Sequence, residues 1–370
     1  MYSLPVFITT NTKITTLRIN NNLFTGTGLD LTQNVDLRYL NAEVNQIESL
    51  DITQNLGLST IILNHNLFPG TAILDQFYTI RSGDNGIRLG TLEVSHNLLT
   101  GNIPNFYDLM HFGPANNNWT RYFELTIDNN YFEFGDLEDE HLNTVALLTT
   151  LGGYNIPVMR KYEYAPQAKV NAIENPTPNA GTSITLITDV RGAQNHYQWF
   201  KDGVPIPDSS DSPEYTITDL NTCDNGAYYS EITSDLVPFE NGNPPGTNGK
   251  NLLLVRNDIT LTVNATKDCV TLASPVNGAT NIPINTGIEW NDNPGACGYK
   301  LSVGTTSGAT DIVNNEDVGE VTVYNFASDL PSNQQIFVTI TPYYDDGDFG
   351  GCTEESFTTN ASTVAPDCTT

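Results

Sequence analysis

Leu37-Arg38-Tyr39-Leu40-Asn41-Ala42-Glu43-Val44-Asn45-Gln46-Ile47 and Leu58-Ser59-Thr60-Ile61-Ile62-Leu63-Asn64-His65-Asn66-Leu67-Phe68 share one pattern: apolar residues at the first, fourth and sixth positions, an asparagine at the ninth and an apolar residue at the eleventh. Working outward, the pattern recurs at Ile14–Phe24, Leu89–Leu99 and Tyr122–Phe132, so five copies carry Asn22, Asn45, Asn66, Asn97 and Asn130 in one register. Each copy is too short to close a core alone. Stacked copies bury their apolar positions together, as quasi-one-dimensional repeat proteins do. An asparagine amide offers two donors and an acceptor, which suits it to bond backbone groups at the turn leaving each strand and to build a ladder along the stack.

The asparagines are spaced by 23, 21, 31 and 33 residues, so the later copies carry insertions, at about 77–87 and 106–118. Asp136–Gly152, with Leu137, Leu142, Val145, Leu147 and Leu148, is predicted to be a short capping helix or turn over the open end of the stack. Tyr164-Ala165-Pro166-Gln167 then reads as the exit from this unit.

The five copies resemble the leucine-rich repeat, L-x-x-L-x-L-x-x-N-x-L. Leu99-Thr100-Gly101-Asn102-Ile103-Pro104 is similar to the L-x-G-x-I-P form of many ligand-binding repeat proteins. The resemblance implies a solenoid of α/β type over residues 1–165, built of mostly short parallel strands. Its outward strand side chains would form a concave recognition face. Arg18, Asn20, Tyr39, Asn41, Glu43, Ile62, Asn64, His65, Glu93, Ser95, His96, Thr126 and Asp128 are the candidates for that face. The mixture of amides, hydroxyls and carboxylates suits a polar partner, a protein or a polysaccharide. His65 and His96 precede the ladder asparagine in adjacent copies, and so would stand about 5 Å apart. Two solvated histidines and a zinc or catalytic pair are the readings to separate.

Beyond residue 168 short strands alternate with Gly, Pro and Asn/Asp turns. Tyr197-Gln198-Trp199-Phe200-Lys201-Asp202-Gly203 and Asp224-x-Gly226-x-Tyr228 resemble the immunoglobulin fold over 168–266. The resemblance makes Trp199 the core tryptophan and Tyr228 the tyrosine-corner residue. Thr188 and Ser230 stand where antibody-type domains place cysteines. Over 267–360, Ile288-Glu289-Trp290, Gly298–Thr305 and Phe337–Tyr343 resemble fibronectin type III, with Trp290 in the core and Phe337 at the usual strand-F aromatic position. The fold class expected is therefore multidomain: a repeat solenoid followed by two all-β sandwiches. Pro366-Asp367-Cys368-Thr369-Thr370 repeats Lys267-Asp268-Cys269-Val270-Thr271 after 99 residues, so 361–370 reads as the start of a further module and the chain as a piece of a longer protein.

Fifteen basic against 43 acidic residues give a net charge of −28 over 370 residues. Such a chain repels phosphate backbones and anionic lipid, which excludes nucleic acid as a partner class. The acidic surface serves solubility or binds calcium, with Asp345-Asp346-Gly347-Asp348 a loose candidate loop that lacks the EF-hand spacing. No cofactor is otherwise called for. No secretory signal and no membrane-spanning apolar run are visible. Scarce lysine and cysteines in sandwiches of extracellular type nonetheless point to export.

Of five cysteines, four lie where two bonds could form. Immunoglobulin topology places the loop before strand F and the end of strand G at one pole, which makes Cys223–Cys269 and Cys297–Cys352 the candidate pairs. Four cysteines allow three connectivities, which stay open. No nucleophile–base pair, G-x-S-x-G elbow or phosphate-cradling loop is present, so no catalytic residue is named.

The whole order resembles multidomain surface proteins that Bacteroidetes-type bacteria export by the type IX pathway. That implies a non-enzymatic, monomeric, secreted or surface-attached adhesion protein without membrane insertion, with the sandwiches as its stalk. The alternative is a set of accessory modules from a large secreted hydrolase whose catalytic domain lies outside this sequence. The loop Ser234–Lys250 is a second candidate recognition element.

Overall fold

The computed structural model describes residues 10–25, 29–82, 90–106, 123–146, 159–207, 209, 211–237 and 252–361. Most of the loop Ser234–Lys250, the residues around Cys368, Leu147, Leu148, His111, residues 83–87 of the first insertion and 107–118 of the second lie outside them.

The repeats form one parallel sheet of six strands in sequence order: β1 (Thr16–Arg18), β2 (Tyr39–Asn41), β3 (Thr60–Ile62), β4 (Thr91–Glu93), β5 (Phe123–Thr126) and β6 (Met159–Glu163). Helix α1 (Ala72–Ser82) belongs to the third repeat, and α2 (Phe134–Ala146) follows the fifth. Leu17, Leu40, Ile61, Leu92 and Leu125 stand in register at the strand centres and point inward, where all are buried.

The amides tie one turn to the next. Asn66 Nδ2 donates to its own Leu63 carbonyl and to Ala42 of the preceding repeat, both at 3.0 Å, while its Oδ1 accepts from the Ile47 amide at 3.0 Å. Asn45, Asn97 and Asn130 repeat this arrangement. Asn22, with no described turn before it, bonds within its own repeat and is exposed.

A sixth copy escaped the sequence pattern. Met159-x-x-Tyr162-x-Tyr164-x-x-Gln167 fits the same template with aromatics for leucine and glutamine for asparagine. Gln167 Nε2 donates to Ile127 at 3.0 Å and Tyr164 at 2.7 Å, and its Oε1 accepts from the Asn130 amide at 2.9 Å. Residues 164–167 are thus the last turn of the stack rather than an exit from it.

The next region packs β7 (Ile184–Ile187), β8 (Asn195–Lys201), β9 (Val204–Pro205), β10 (Glu214–Ile217), β11 (Gly226–Ser234), β12 (Leu254–Val255) and β13 (Ile259–Leu261) into two sheets, β10-β7 and β12-β11-β8-β9 with β13 also on β11. Trp199 is fully enclosed, and the Tyr228 hydroxyl donates to the Asp224 carbonyl at 2.8 Å. Thr188 Oγ1 and Ser230 Oγ lie 2.6 Å apart in the interior, so a buried hydroxyl pair stands where antibody domains carry their bridge.

The last region comprises β14 (Leu272–Ser274), β15 (Ile288–Trp290), β16 (Gly298–Gly304), β17 (Val313–Gly319), β18 (Val323–Tyr324), β19 (Gln335–Tyr344), β20 (Gly347–Asp348) and β21 (Glu355–Thr358), again in two sheets. Trp290 packs edge-on to Tyr299 at 5.7 Å. Phe337, on the strand where the resemblance put an aromatic, is half-exposed: alternation along β19 sends Ile336, Val338 and Ile340 inward.

The cysteine pairing differs from the expected one. Cys223 bonds Cys297, and Cys269 bonds Cys352. Cys223 sits in a 3₁₀ turn (Thr222–Asp224) whose Thr222 amide donates to Gly295 across the boundary, at 3.2 Å, so its nearest cysteine is the one entering β16. The first bond therefore joins two sandwiches, and the second closes the later sandwich on itself. Asn225 to Asp345 (2.8 Å) and Asn221 to Glu320 (3.1 Å) add to the same junction.

At the other boundary the repeat region and first sandwich share one apolar core, which runs on from Leu137 and Tyr164 into Val190, Ile232 and Leu254. Arg191 ion-pairs with the buried Asp136 in the first turn of α2, and the Arg191 and Ala193 amides donate to Glu133 and Glu138, both at 2.9 Å. Asp136 and Glu138, near the start of α2, thus anchor the first sandwich to the repeat region.

Two outcomes follow from this interior. Replacing Asn66 by Ala strands three buried backbone groups and costs about 3 kcal/mol, whereas Asn22→Ala costs under about 1 kcal/mol; equilibrium denaturation of both variants measures the contrast. His141, buried against Tyr162 and Tyr164, has its imidazole pKa pushed down to about 4 by burial. Above about pH 6.5 it is neutral folded and unfolded, so its contribution is complete there. As pH falls from about 6.5 to about 4 only the unfolded chain takes the proton, and about 3 kcal/mol is lost. Denaturation at pH 7, 5.5 and 4.5 should show His141→Phe losing less stability over that range than the parent; equal losses exclude this origin.

Candidate functional site

The outward strand side chains fall into columns fixed by the parallel register. Thr16, Tyr39, Thr60, Thr91 and Glu124 form the first, and Arg18, Asn41, Ile62, Glu93 and Thr126 the second. Beyond the strands run Asn20, Glu43, Asn64, Ser95 and Asp128, held by the backbone bonds that continue the sheet.

These side chains are tied to one another. The Arg18 guanidinium lies 4.9 Å over the Tyr39 ring. Asn41 donates to Glu43 at 3.3 Å. Asn64 bridges repeats, with Nδ2 on Glu93 at 2.9 Å and Oδ1 accepting from the Ser95 amide at 2.8 Å. Ser95 Oγ and Asn129 Nδ2 each donate to Asp128 at 2.5 Å.

Burial divides the face. Arg18 and the two histidines are exposed, and Asn20, Tyr39, Asn41, Glu43, Ile62, Asn64 and Glu93 are half-exposed. Ser95, Thr126 and Asp128 are buried, contrary to the expectation that they face a partner. Ser95 and Asp128 spend their polar atoms on each other and on Asn129. The accessible candidates therefore lie toward β1–β4.

His65 and His96 stack face to face with ring centroids 4.0 Å apart and planes inclined by 26°. No group of three or more His, Cys, Asp or Glu among the described residues could hold a metal ion. In the acidic loop the carboxylates go elsewhere: Asp346 pairs with Lys267 at 2.7 Å, Asp348 with Lys300 at 2.7 Å, and Asp345 accepts from Asn225. The Asn225 bond is the main reason the Asp345 carboxyl is held below its ordinary range.

No family model matches the chain, and no curated protein does. Solved structures of tandem immunoglobulin-like or fibronectin III-like domains do. Three N-terminal domains of the bacteriophage RB49 Highly Immunogenic Outer Capsid protein (Hoc) match at 12% identity over 50% of this chain and 56% of that one, TM-score 0.19. Sidekick-1 immunoglobulin domains 1–5 match at 13% over 52% and 40%, TM-score 0.21. Fibronectin(III)-like modules of Clostridium thermocellum CbhA match at 14% over 52% and 93%, TM-score 0.20. The chain spans about half the length of the first two structures. Scores this low carry no argument, and the sandwich description rests on this chain's own topology.

Three features of the site were not read from the sequence. The residue before each ladder amide adopts left-handed backbone: Asn21, Val44, His65, His96 and Asn129 have φ between 53° and 57°. The residue after it is exposed and mostly apolar, giving a strip of Leu23, Leu67, Leu98 and Tyr131 along one edge of the face. A second amide ladder runs on the far flank, where Asn55 Nδ2 donates to Leu31 at 3.0 Å and Asn34 at 2.9 Å, and Asn34 donates to Asn11 at 2.8 Å. The repeated Asp30-Leu31-Thr32-Gln33-Asn34 and Asp51-Ile52-Thr53-Gln54-Asn55 carried the signal for it.

Val44 is the misfit of the left-handed column. A β-branched residue at φ 53° is strained by about 1–2 kcal/mol, and its side chain is exposed. Val44→Asn, the residue used at positions 21 and 129, should raise stability by about 1 kcal/mol in thermal denaturation. An unchanged or lowered midpoint would show that Val44 earns its place through contacts.

Proposed function

We propose that residues 1–167 are a leucine-rich repeat solenoid whose concave face recognises a protein or polysaccharide partner outside the cell, with the two sandwiches holding it out as a stalk. The reading is of a non-enzymatic adhesion protein of the kind exported by type IX secretion. The observation that carries it is the mutual fixing of the face. Arg18 on Tyr39, Asn41 on Glu43 and Asn64 on Glu93 are positioned before any partner arrives. Less side-chain freedom is then lost on binding.

Other features support the assignment. The two disulfides suit an oxidising compartment. The Cys223–Cys297 bond and the Arg191–Asp136 anchor stiffen both junctions, as a stalk requires.

The whole chain, probed against glycan and cell-surface protein arrays, tests the reading. Tyr39→Ala combined with Ile62→Ser should weaken any specific binding at least tenfold. Phe200→Ser with Tyr229→Ser, on the outer face of the first sandwich, should leave it unchanged. The reverse result would transfer recognition to the sandwiches.

A further inference from the structure

A recess of about 550 Å³ opens on the flank of the repeat region, away from the strands. It is a step in the stack. The second repeat returns in 21 residues, while the third takes 31 and projects α1 beyond it. Leu50, Phe68 and Ile73 form an apolar floor, each at least 95% buried. Gln76 on α1 pins the wall to the second repeat: Oε1 accepts from the Ile52 amide and Nε2 donates to the Leu50 carbonyl, both at 2.8 Å.

The rim is anionic. Asp30, Glu48 and Asp51 border the recess from two neighbouring repeats, all exposed, and no basic residue among the described ones lines it. Asp30 Oδ1 accepts from the Thr32 hydroxyl at 2.7 Å and amide at 3.0 Å, and Asp51 accepts from Thr53 likewise. These bonds hold both carboxyls below their ordinary range despite repulsion of Asp51 by Asp30. Two fixed, ionised carboxylates therefore stand on adjacent turns, with no cation among the described residues lining the recess.

We propose that this recess is a second recognition site that seats a basic segment of a protein partner. A lysine or arginine stem lies along Leu50, Phe68 and Ile73, and its cation reaches Asp30, Glu48 and Asp51. Long basic side chains have this division, an apolar stem with a charged head. The volume is within the range of ligand sites, ~300–1,000 Å³. Carboxylates on successive repeats favour a chain bearing several cations over a single amine. The site is distinct from the concave face and does not depend on its role.

The test uses the whole chain and a fluorescein-labelled peptide, acetyl-Leu-Lys-Leu-Lys-Leu-amide, followed by anisotropy. Binding should weaken with added salt, and a peptide with glutamate for lysine should not bind. Asp30→Asn, Glu48→Gln and Asp51→Asn together keep the turn acceptors at 30 and 51, and should lower affinity about tenfold. Ala72→Trp, placed at the exposed mouth with the carboxylates intact, should abolish binding without shifting the thermal midpoint. Tyr39→Ala should leave peptide binding unchanged. Equal binding of the glutamate peptide, or undiminished binding by both the triple variant and Ala72→Trp, overturns the site. Saturation by hexylammonium as tight as by the peptide overturns the protein partner in favour of a small amine.

Discussion

Asn66 belongs to two turns of the chain at once, and the N-terminal half of the molecule is organised by that double membership. A backbone turn buried beside another turn leaves carbonyls and amides with no partner, and each such group costs about 1–3 kcal/mol. One amide answers three of them, its own Leu63 and the Ala42 and Ile47 groups of the repeat before. The requirement fixes the strand register, because the amide meets both neighbours only when Ile61 lies beside Leu40. It also fixes the chain direction at the preceding residue, where the backbone turns left-handed in five successive repeats. The columns of the outward face of the sheet are a consequence of this internal bonding.

The same logic explains which candidates remain accessible. Outward polar side chains bond across repeats along the whole face. Ser95 and Asp128 are buried in doing so, while Arg18, Tyr39 and Asn64 are held by neighbours and keep accessible surface. The acidic rim of the flank recess is the opposite case: Thr32 and Thr53 fix the carboxylates but do not neutralise them.

The positions decided by local period were legible in the sequence. Asn45, Asn66, Asn97 and Asn130 of the ladder, Trp199, Tyr228 and Trp290 stand where a short template and one neighbouring turn suffice to place them, and Asn22 shares the template but bonds within its own repeat. The features missed depend on what lies across space. Gln167 was passed over because the template was held to leucine and asparagine, though Tyr162 and Tyr164 fill the same inward positions. The cysteine pairing depended on how the two sandwiches abut, which the Thr222–Gly295 contact sets and no spacing within either domain reports.

The Cys223–Cys297 bond encloses β11 to β15 within a covalent loop with a sequence separation of 74. Tension pulled along the chain from its C-terminal side reaches Cys352 and passes through the second bond to Cys269. Three chain segments, 223–269, 269–297 and 297–352, run in parallel between the two bonds and divide that load. They converge on Cys223, so no single segment bears the whole pull before it enters the 3₁₀ turn beside Tyr228.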